Sequence, residues 1–231
     1  MAQGYARPEL LADTEWLAHH LDDSNIRIVD CDVPDSYRRA HIPGAVNPQD
    51  NFFKNPDDRR YVMTPEQFAT TMEGLGIGDD TLVVAYDAHG SHYATRLWWC
   101  LRYYRHQRVK VLNGGWQKWL SEGRPITFKV PQTPKAKFTP QPSPSVLASL
   151  DDVKAALGRQ DTVMLDVRSK GEWTGENTRG NRRGGHLPGA VHLEWLNYVT
   201  DDDQKTIKSA EELRSMFQQA GVTPNKEVIA H

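Results

Sequence analysis

Three arginines in one glycine-rich stretch are the residues of this chain best suited to attract a small anion. Arg179, Arg182 and Arg183 lie within residues 171–185. Guanidinium groups bind oxyanions through several N–H donors held in a fixed geometry. The alternative is a solvated loop whose charges stay in water. Arg182 and Arg183 are therefore candidate binding residues for an anionic substrate, with the solvated loop as the competing interpretation.

This stretch interrupts the second copy of an internal repeat. His41-Ile42-Pro43-Gly44-Ala45-Val46 recurs as His186-Leu187-Pro188-Gly189-Ala190-Val191, an offset of 186 − 41 = 145 residues that continues without a gap to the end of the chain. Upstream, Asp30 lies 41 − 30 = 11 positions before the first motif and Asp166 lies 186 − 166 = 20 before the second. The second copy therefore carries a nine-residue insertion, and a period this long indicates two domains rather than a solenoid.

Other residues that could do chemistry have simpler structural explanations. His41 and His186 precede Pro-Gly turns in both copies, which is typical of a turn and not of a catalytic group. Cys31 and Cys100 are the only cysteines and lie in apolar-rich segments, so they are expected to be buried free thiols in a reducing compartment. The acidic run at 201–203 lacks the spacing of a metal cage. The sequence predicts neither a metal nor a cofactor.

Charge and hydropathy limit the partners. The chain has 28 basic and 30 acidic residues for a net charge of −2, and neither sign forms a long block, so no nucleic-acid or membrane partner is expected. No apolar run approaches the roughly 18 residues needed to span a bilayer, and the acidic N-terminal region lacks the features of a signal peptide. We expect a cytoplasmic protein.

The elements that position these residues alternate between strand and helix. Strands are predicted from apolar, β-branched runs at 26–31, 81–86, 109–112, 162–166 and 227–230. Helices are predicted at 13–21, 64–73, 97–104, 116–120, 150–157 and 209–219. Such alternation predicts an α/β fold with parallel sheets covered by helices on both faces. Six prolines between 125 and 144 predict a linker, which gives domains at 1–125 and 148–231 joined by 126–147.

The ordered motifs resemble those of the tandem rhodanese-domain sulfurtransferases, the family of thiosulfate and 3-mercaptopyruvate sulfurtransferases. The matching residues are the two His-Ile/Leu-Pro-Gly-Ala motifs, Leu165-Asp166-Val167-Arg168-Ser169 with Glu172-Trp173, and Val111-Leu112-Asn113-Gly114-Gly115-Trp116. The resemblance covers essentially the whole chain. It implies two tandem rhodanese-like domains, the first a non-catalytic copy and the second incomplete.

The resemblance also implies where the catalytic cysteine belongs. In that family the second domain has a cysteine at the start of the loop after a strand, where backbone N–H groups lower the thiol pKa and stabilise an anionic donor. The first copy has Asp87 there, an acidic residue that is expected at the mouth of the loop and should repel anions. Its partner falls at 87 + 145 = 232, directly after His231. We therefore expect no catalytic residue within the 231 residues, which would be inactive alone, and a complementary C-terminal chain is one way to complete the second domain.

The implied reaction moves a sulfane sulfur from a small anionic donor to the cysteine as a persulfide, and then to a thiol, cyanide or protein acceptor. Glu172 stands where many members that prefer mercaptopyruvate have an arginine, which favours thiosulfate as the donor. Three alternatives stay open: a mercaptopyruvate sulfurtransferase, a non-catalytic rhodanese-like binding or regulatory module, and a phosphatase on the same scaffold.

Overall fold

The computed structural model describes residues 4–231, which form two compact units. Of the described residues, the first unit contains 4–146 with the short segment Asp201–Ile207, and the second contains Leu147–Thr200 with Lys208–His231. Each unit is an α/β layer structure built on a parallel sheet.

The first unit has four strands and five α-helices. The strands are β1 (Leu11–Ala12), β2 (Ile26–Asp30), β3 (Leu82–Tyr86) and β4 (Val109–Leu112). The helices are α1 (Thr14–Ala18), α2 (Pro34–Arg39), α3 (Pro65–Gly74), α4 (His92–Tyr103) and α5 (Gly115–Ser121). The strand order is β1-β4-β3-β2 with every pair parallel, and Val46 adds a parallel bridge to Val29 beyond β2.

Both faces of this sheet are buried, as a parallel sheet requires. Alternate strand residues enter two separate cores, because successive side chains of a strand point to opposite faces. Val83 and Ala85 of β3 enter one core, whereas Val84 and Tyr86 enter the other. Helices α3 and α4 cover the first core, and α1, α2 and α5 cover the second.

The second unit has three strands and three α-helices. They are β5 (Thr162–Asp166), β6 (Val191–His192) and β7 (Glu227–Ala230), with α6 (Leu150–Ala156), α7 (Lys170–Thr174) and α8 (Ala210–Gln219). The strand order is β6-β5-β7, again parallel. The pair Thr162↔Glu227 corresponds to Ile26↔Leu82, with offsets of 162 − 26 = 136 and 227 − 82 = 145. The nine-residue difference between these offsets is the insertion deduced from the sequence.

Side-chain caps explain why three helices begin where they do. The side chains of Thr64, Ser149 and Ser209 each accept a hydrogen bond from the backbone N–H three residues later. In return, the backbone N–H of each cap residue donates to the side chain at that later position. The predicted strands and the long helices are present. The short elements β1, α2, α7 and β6 were not predicted from the sequence. Helix α1 ends at Ala18, three residues before its predicted end, and α4 begins at His92, five residues before its predicted start.

The proline-rich segment is extended and packs on the first unit. Thr127 pairs with His41 in an antiparallel bridge, and Lys137 accepts a backbone hydrogen bond from Asp79 at 3.0 Å. Phe138 is 2% exposed and lies edge-on to Phe68, with 5.6 Å between ring centroids. This part of the chain therefore contributes to the core of the first unit.

Replacing Phe138 by alanine is expected to destabilise the first unit by about 3 kcal/mol, because the change leaves a cavity between buried rings. Phe128, which is 79% exposed in the same segment, provides a matched control whose replacement by alanine should have an effect below about 0.5 kcal/mol. Urea denaturation of both variants checks the difference. Equal stabilities would show that the segment is only a tether.

Within residues 4–231, no helix combines the length and the apolar character that crossing a bilayer requires.

Candidate active site at the carboxyl edges of the two sheets

In the first unit, the loop after β3 forms a nest of backbone N–H groups around the Asp87 carboxylate. Oδ1 accepts from the N–H groups of His89 at 2.7 Å and Ser91 at 3.0 Å. Oδ2 accepts from those of Tyr93 and Ala94, both at 2.8 Å. Asp87 is 1% exposed. The loop and the first turn of α4 therefore bind an anion, as expected for converging N–H groups at a helix N-terminus.

The expectation that Asp87 lies at the mouth of this loop is wrong. Its carboxylate fills the nest and satisfies four donors, so the anion that occupies the nest belongs to the chain itself. The physical reason is that a buried carboxylate needs hydrogen bonds to replace those it loses from water, and the loop N–H groups supply them.

The turn at Gly114-Gly115 supports the nest from the other side. The N–H of Trp116 donates to the Asp87 carbonyl at 3.0 Å. A Cβ atom at Gly115 would lie 2.1 Å from that same carbonyl oxygen, so only glycine permits the approach. The Asn-Gly-Gly-Trp motif of the sequence therefore positions α5 against the loop.

Two further carboxylates lie beside the nest, and both have raised pKa values. Burial raises the pKa of Asp30 to about 7, although Asp32 N–H and the Tyr86 hydroxyl donate to its oxygens at 2.9 and 2.7 Å. Burial also raises the pKa of Asp32, with the charge of Asp87 adding to the effect. Asp32 in turn pairs with His89 Nδ1 at 2.8 Å. The carboxyl edge of the first sheet is thus crowded with acidic groups, and a cavity of about 300 Å³ opens beside them.

The same edge in the second unit has the opposite charge pattern. Asp166 occupies the position of Asp30, since 166 − 30 = 136, and Arg168 occupies that of Asp32. Arg168 Nε donates to Asp166 Oδ1 at 3.0 Å, and its Nη2 donates to the Gly185 carbonyl at 2.9 Å. Burial would raise the pKa of Asp166, but the hydrogen bonds from Arg168 hold that pKa below its ordinary value. A guanidinium therefore stands where the first unit has a carboxylate.

His231, the last residue, completes this arrangement. Its backbone pairs in register with Asp166, because the N–H of Val167 donates to the His231 carbonyl at 3.0 Å. The equivalent bond in the first unit joins the N–H of Cys31 to the Tyr86 carbonyl at 2.8 Å. The Nε2 atom of His231 lies 3.4 Å from Asp166 Oδ2. Burial lowers the pKa of His231.

The two motif histidines hold turns in both units. His41 is fully buried, stacks on Tyr37 at 3.9 Å between centroids, and its Nδ1 lies 2.8 Å from the Tyr37 carbonyl. His186 repeats both contacts with Trp173, at 3.5 and 2.9 Å. These geometries agree with the structural interpretation of both histidines.

Arg182 and Arg183 lie in the inserted segment and are exposed, with no hydrogen bond or ion pair to any residue in the described range 4–231. Arg179 instead pairs with Glu172 at 3.3 Å, and Glu172 also accepts from the Ser169 hydroxyl at 2.7 Å. Both interpretations of Arg182 and Arg183 therefore stay open. Arg168 was not predicted as a site residue. The difference between Arg168 in the second copy and Asp32 at the equivalent position of the first copy could have indicated it.

Neither cysteine within the chain is suited to nucleophilic chemistry. Cys31 is fully buried and Cys100 is 1% exposed. Burial raises the pKa of the Cys31 thiol well above its ordinary value and that of Cys100 to about 11, which keeps both protonated. Among residues 4–231, no group of three or more His, Cys, Asp or Glu side chains could hold a metal ion.

Comparison with known proteins identifies the class to which this fold and site belong. The model of the rhodanese-like domain matches residues 13–122 and 149–231, so the chain belongs to the rhodanese family and contains two copies of its domain. It is 38% identical over 244 residues to the sulfur carrier protein TtuD of Thermus thermophilus, covering 99% of this chain and 84% of that protein. It is 33% identical to the thiosulfate sulfurtransferase of Bos taurus, covering 95% of this chain and 80% of that protein.

Among solved structures, the 3-mercaptopyruvate sulfotransferase SseA from Escherichia coli superposes with a TM-score of 0.85 at 27% identity, covering 96% of this chain and 87% of that one. The family, the named relatives and this structural neighbour together support a sulfurtransferase function.

Proposed function

We propose that the protein transfers a sulfane sulfur from thiosulfate to a thiophilic acceptor through a cysteine persulfide. The cysteine is expected at the position directly after His231. The observation that carries the proposal is the nest around Asp87. The repeat register assigns that position the same place, after β7, that Asp87 has after β3.

The chemistry follows from such a nest. A thiolate in place of the Asp87 carboxylate would receive the same N–H donors, which lower its pKa and keep it ionised. The thiolate attacks the outer sulfur of thiosulfate, the S–S bond breaks, and sulfite leaves with the bonding electron pair. The resulting persulfide is attacked at its terminal sulfur by a thiol, cyanide or a protein nucleophile, which regenerates the thiolate. The N–H groups stabilise the negative charge in each step.

Cationic residues of the second unit would attract the donor. Arg168 is held by Asp166 and Gly185 at the carboxyl edge of the sheet, where it gives the edge a positive group. Arg182 and Arg183 are unpaired among the described residues and free to contact an oxyanion. We propose that Arg182 and Arg183 contribute to donor binding.

Charge removal tests this role. We expect Arg182→Gln and Arg183→Gln each to raise KM for thiosulfate by about tenfold with kcat nearly unchanged, because each removes a charge-assisted contact made equally in ground and transition states. Arg38→Gln removes a charge that is also exposed, from α2 of the first unit, and should leave KM unaltered. Unchanged KM in both second-unit variants would assign the insertion to a solvated loop.

A second candidate donor is 3-mercaptopyruvate, which is supported by the resemblance to SseA. Glu172 favours thiosulfate, because its carboxylate accepts from the Ser169 hydroxyl and pairs with Arg179, so this position offers no cation to the carboxylate of mercaptopyruvate. Steady-state comparison of the two donors on the full-length protein distinguishes them. We expect the higher kcat/KM with thiosulfate, and a higher value with mercaptopyruvate would overturn the assignment.

The acceptor is a further choice within the same mechanism. The name of the relative TtuD, a sulfur carrier protein, supports a protein or thiol acceptor as well as cyanide. Absence of sulfur transfer with both donors and every acceptor class would favour a non-catalytic binding module.

A further inference from the structure

A second cavity lies at the amino edge of the first unit's sheet, the edge opposite the Asp87 nest. It measures about 470 Å³ and is lined by residues that precede β3, residues between α4 and β4, and part of the proline-rich segment. Its buried lining includes Tyr104, His106 and Phe138, which are 3%, 6% and 2% exposed. A cavity of this size can hold a small organic molecule. Nothing in the proposed sulfur transfer uses it.

Two arginines at this cavity have no partners. The side chains of Arg105 and Arg108 line it, are exposed, and form no hydrogen bond or ion pair within residues 4–231. Asp79, the carboxylate that also lines the cavity, is already occupied, since Thr139 donates to it through its N–H at 2.7 Å and its hydroxyl at 2.9 Å. These hydrogen bonds leave the charge of Asp79 in place, so the lining carries one carboxylate and two guanidinium groups that have no ion-pair partner among the described residues, a net charge of 2 − 1 = +1.

His106 adds an unpaired hydrogen-bond acceptor. Its Nε2 lies 3.0 Å from the Thr81 carbonyl and 3.2 Å from the Arg108 carbonyl. Carbonyl oxygens only accept, so Nε2 carries the hydrogen, and burial lowers the pKa of this imidazole and keeps it neutral. Nδ1 is then an acceptor that has no partner among the described residues. Nδ1 is not among the fully buried polar atoms without a partner in the described residues, so water or a ligand can reach it and donate to it.

The backbone conformation of Arg105 also indicates a functional role for this cavity. Arg105 has φ of 62°, in the left-handed region, at the turn that ends α4, where His106 N–H donates to the Leu101 carbonyl at 2.9 Å. Glycine or asparagine is the favoured residue at this position of a helix C-terminus. A bulky cation in a strained conformation beside a cavity is typical of a functional constraint.

We propose that this cavity binds a small hydroxylated organic anion, whose anionic group pairs with Arg105 and Arg108 and whose hydroxyl donates to His106 Nδ1. The ligand class follows from the two features together, because the arginines can pair with an anion and the imidazole nitrogen can accept from a hydroxyl. A hydroxy acid is the smallest molecule that carries both.

Three matched probes test the proposal by calorimetric titration of the full-length protein. Glycerate has a carboxylate and hydroxyls, propionate has only the carboxylate, and glycerol has only the hydroxyls. We expect glycerate to bind about tenfold more tightly than propionate, and glycerol not to bind. Glycerate should also shift the ¹⁵N resonance of His106 Nδ1, whereas propionate should not. Absence of glycerate binding, or equal affinities for glycerate and propionate, would overturn the proposal.

Two variants assign the anion contact without unfolding the protein. Arg105→Gly removes the guanidinium and also relieves the left-handed strain, so the variant should be at least as stable as the unaltered chain. We expect Arg105→Gly and Arg108→Gln each to weaken glycerate binding about tenfold, and the distant Arg38→Gln to leave it unchanged. Unaltered affinity in both cavity variants would contradict the assignment. Because the readout is binding and not sulfur transfer, its failure leaves the proposed enzymatic function untouched.

Discussion

Replacing Asp87 by alanine will destabilise the first unit by about 4 kcal/mol. The carboxylate is buried and satisfies four backbone N–H groups of the loop and of α4. Its removal leaves those donors without the carboxylate, two of them in buried residues, and each unsatisfied buried donor costs about 1–3 kcal/mol. Asp87→Asn keeps the shape but aims an N–H₂ group at two donors, so we expect a loss of about 2 kcal/mol or more.

Urea denaturation followed by tryptophan fluorescence measures this effect, because five of the seven tryptophans lie in the first unit. Asp35→Ala is the matched control, since that side chain is 83% exposed and pairs only with Arg38 at the surface. Its effect should stay below about 0.5 kcal/mol. A loss of stability for Asp87→Ala no larger than for Asp35→Ala would show that the nest does not hold the carboxylate.

Replacing Asp30 by asparagine will make the first unit less sensitive to pH. Burial raises the pKa of Asp30 from 3.8 to about 7, so the folded state keeps a proton that the unfolded chain releases. A raised carboxyl pKa stabilises the folded state fully below about pH 4, and this stabilisation is lost as the pH rises to about 7. The loss is about 4 kcal/mol. Asparagine is neutral at every pH in this range, so the variant does not undergo this loss of stability.

The measurement is the free energy of unfolding of both proteins between about pH 4 and pH 8. We expect the stability of Asp30→Asn relative to the unaltered chain to increase by about 3 kcal/mol across that range. Asp32 lies in the same cluster and also has a raised pKa, so a smaller pH dependence should persist in the variant. Parallel pH profiles for the two proteins would contradict the raised pKa of Asp30.

Local patterns predicted the fold well where the signal was strong. Continuous apolar runs predicted β2, β3, β4, β5 and β7, and the capping hydroxyl of Thr64 predicted the start of α3. The short elements failed for a physical reason. A two-residue strand such as β6 carries no periodicity, and α2 has only six residues, so their positions depend on packing that no local pattern reports.

The position of the Asp87 loop after a strand was predicted from the sequence, but the direction of the Asp87 side chain was not. The repeat register located the loop at Asp87, and the resemblance gave it a chemical role. The direction of the Asp87 side chain could not be deduced, because it depends on the fit of a carboxylate to loop N–H groups that only the folded backbone brings together. Arg168 was missed because an arginine two residues after Asp166 gains meaning only when Asp32 is seen at the same place in the first unit.

The two units therefore share one scaffold but differ in charge at the carboxyl edge of the sheet, where Arg168 of the second unit stands in the place of Asp32 of the first. In the first, a carboxylate occupies the nest and Asp30 lacks a cationic partner, so its pKa is raised. In the second, Arg168 lowers the pKa of the equivalent Asp166 and supplies a positive group at the same edge. Under the proposed function, the filled nest of the first unit leaves no place for an anionic donor, whereas Arg168 at the edge of the second unit would attract one.

The most direct test of the account is the intact mass of the protein under non-reducing conditions, before and after incubation with thiosulfate. The account predicts a species heavier than the 26.2 kDa of these 231 residues, which gains the mass of one sulfur atom with thiosulfate and loses it with cyanide. A protein that gains no sulfur, or a single 26.2 kDa species whose only thiols are Cys31 and Cys100, would contradict the persulfide mechanism.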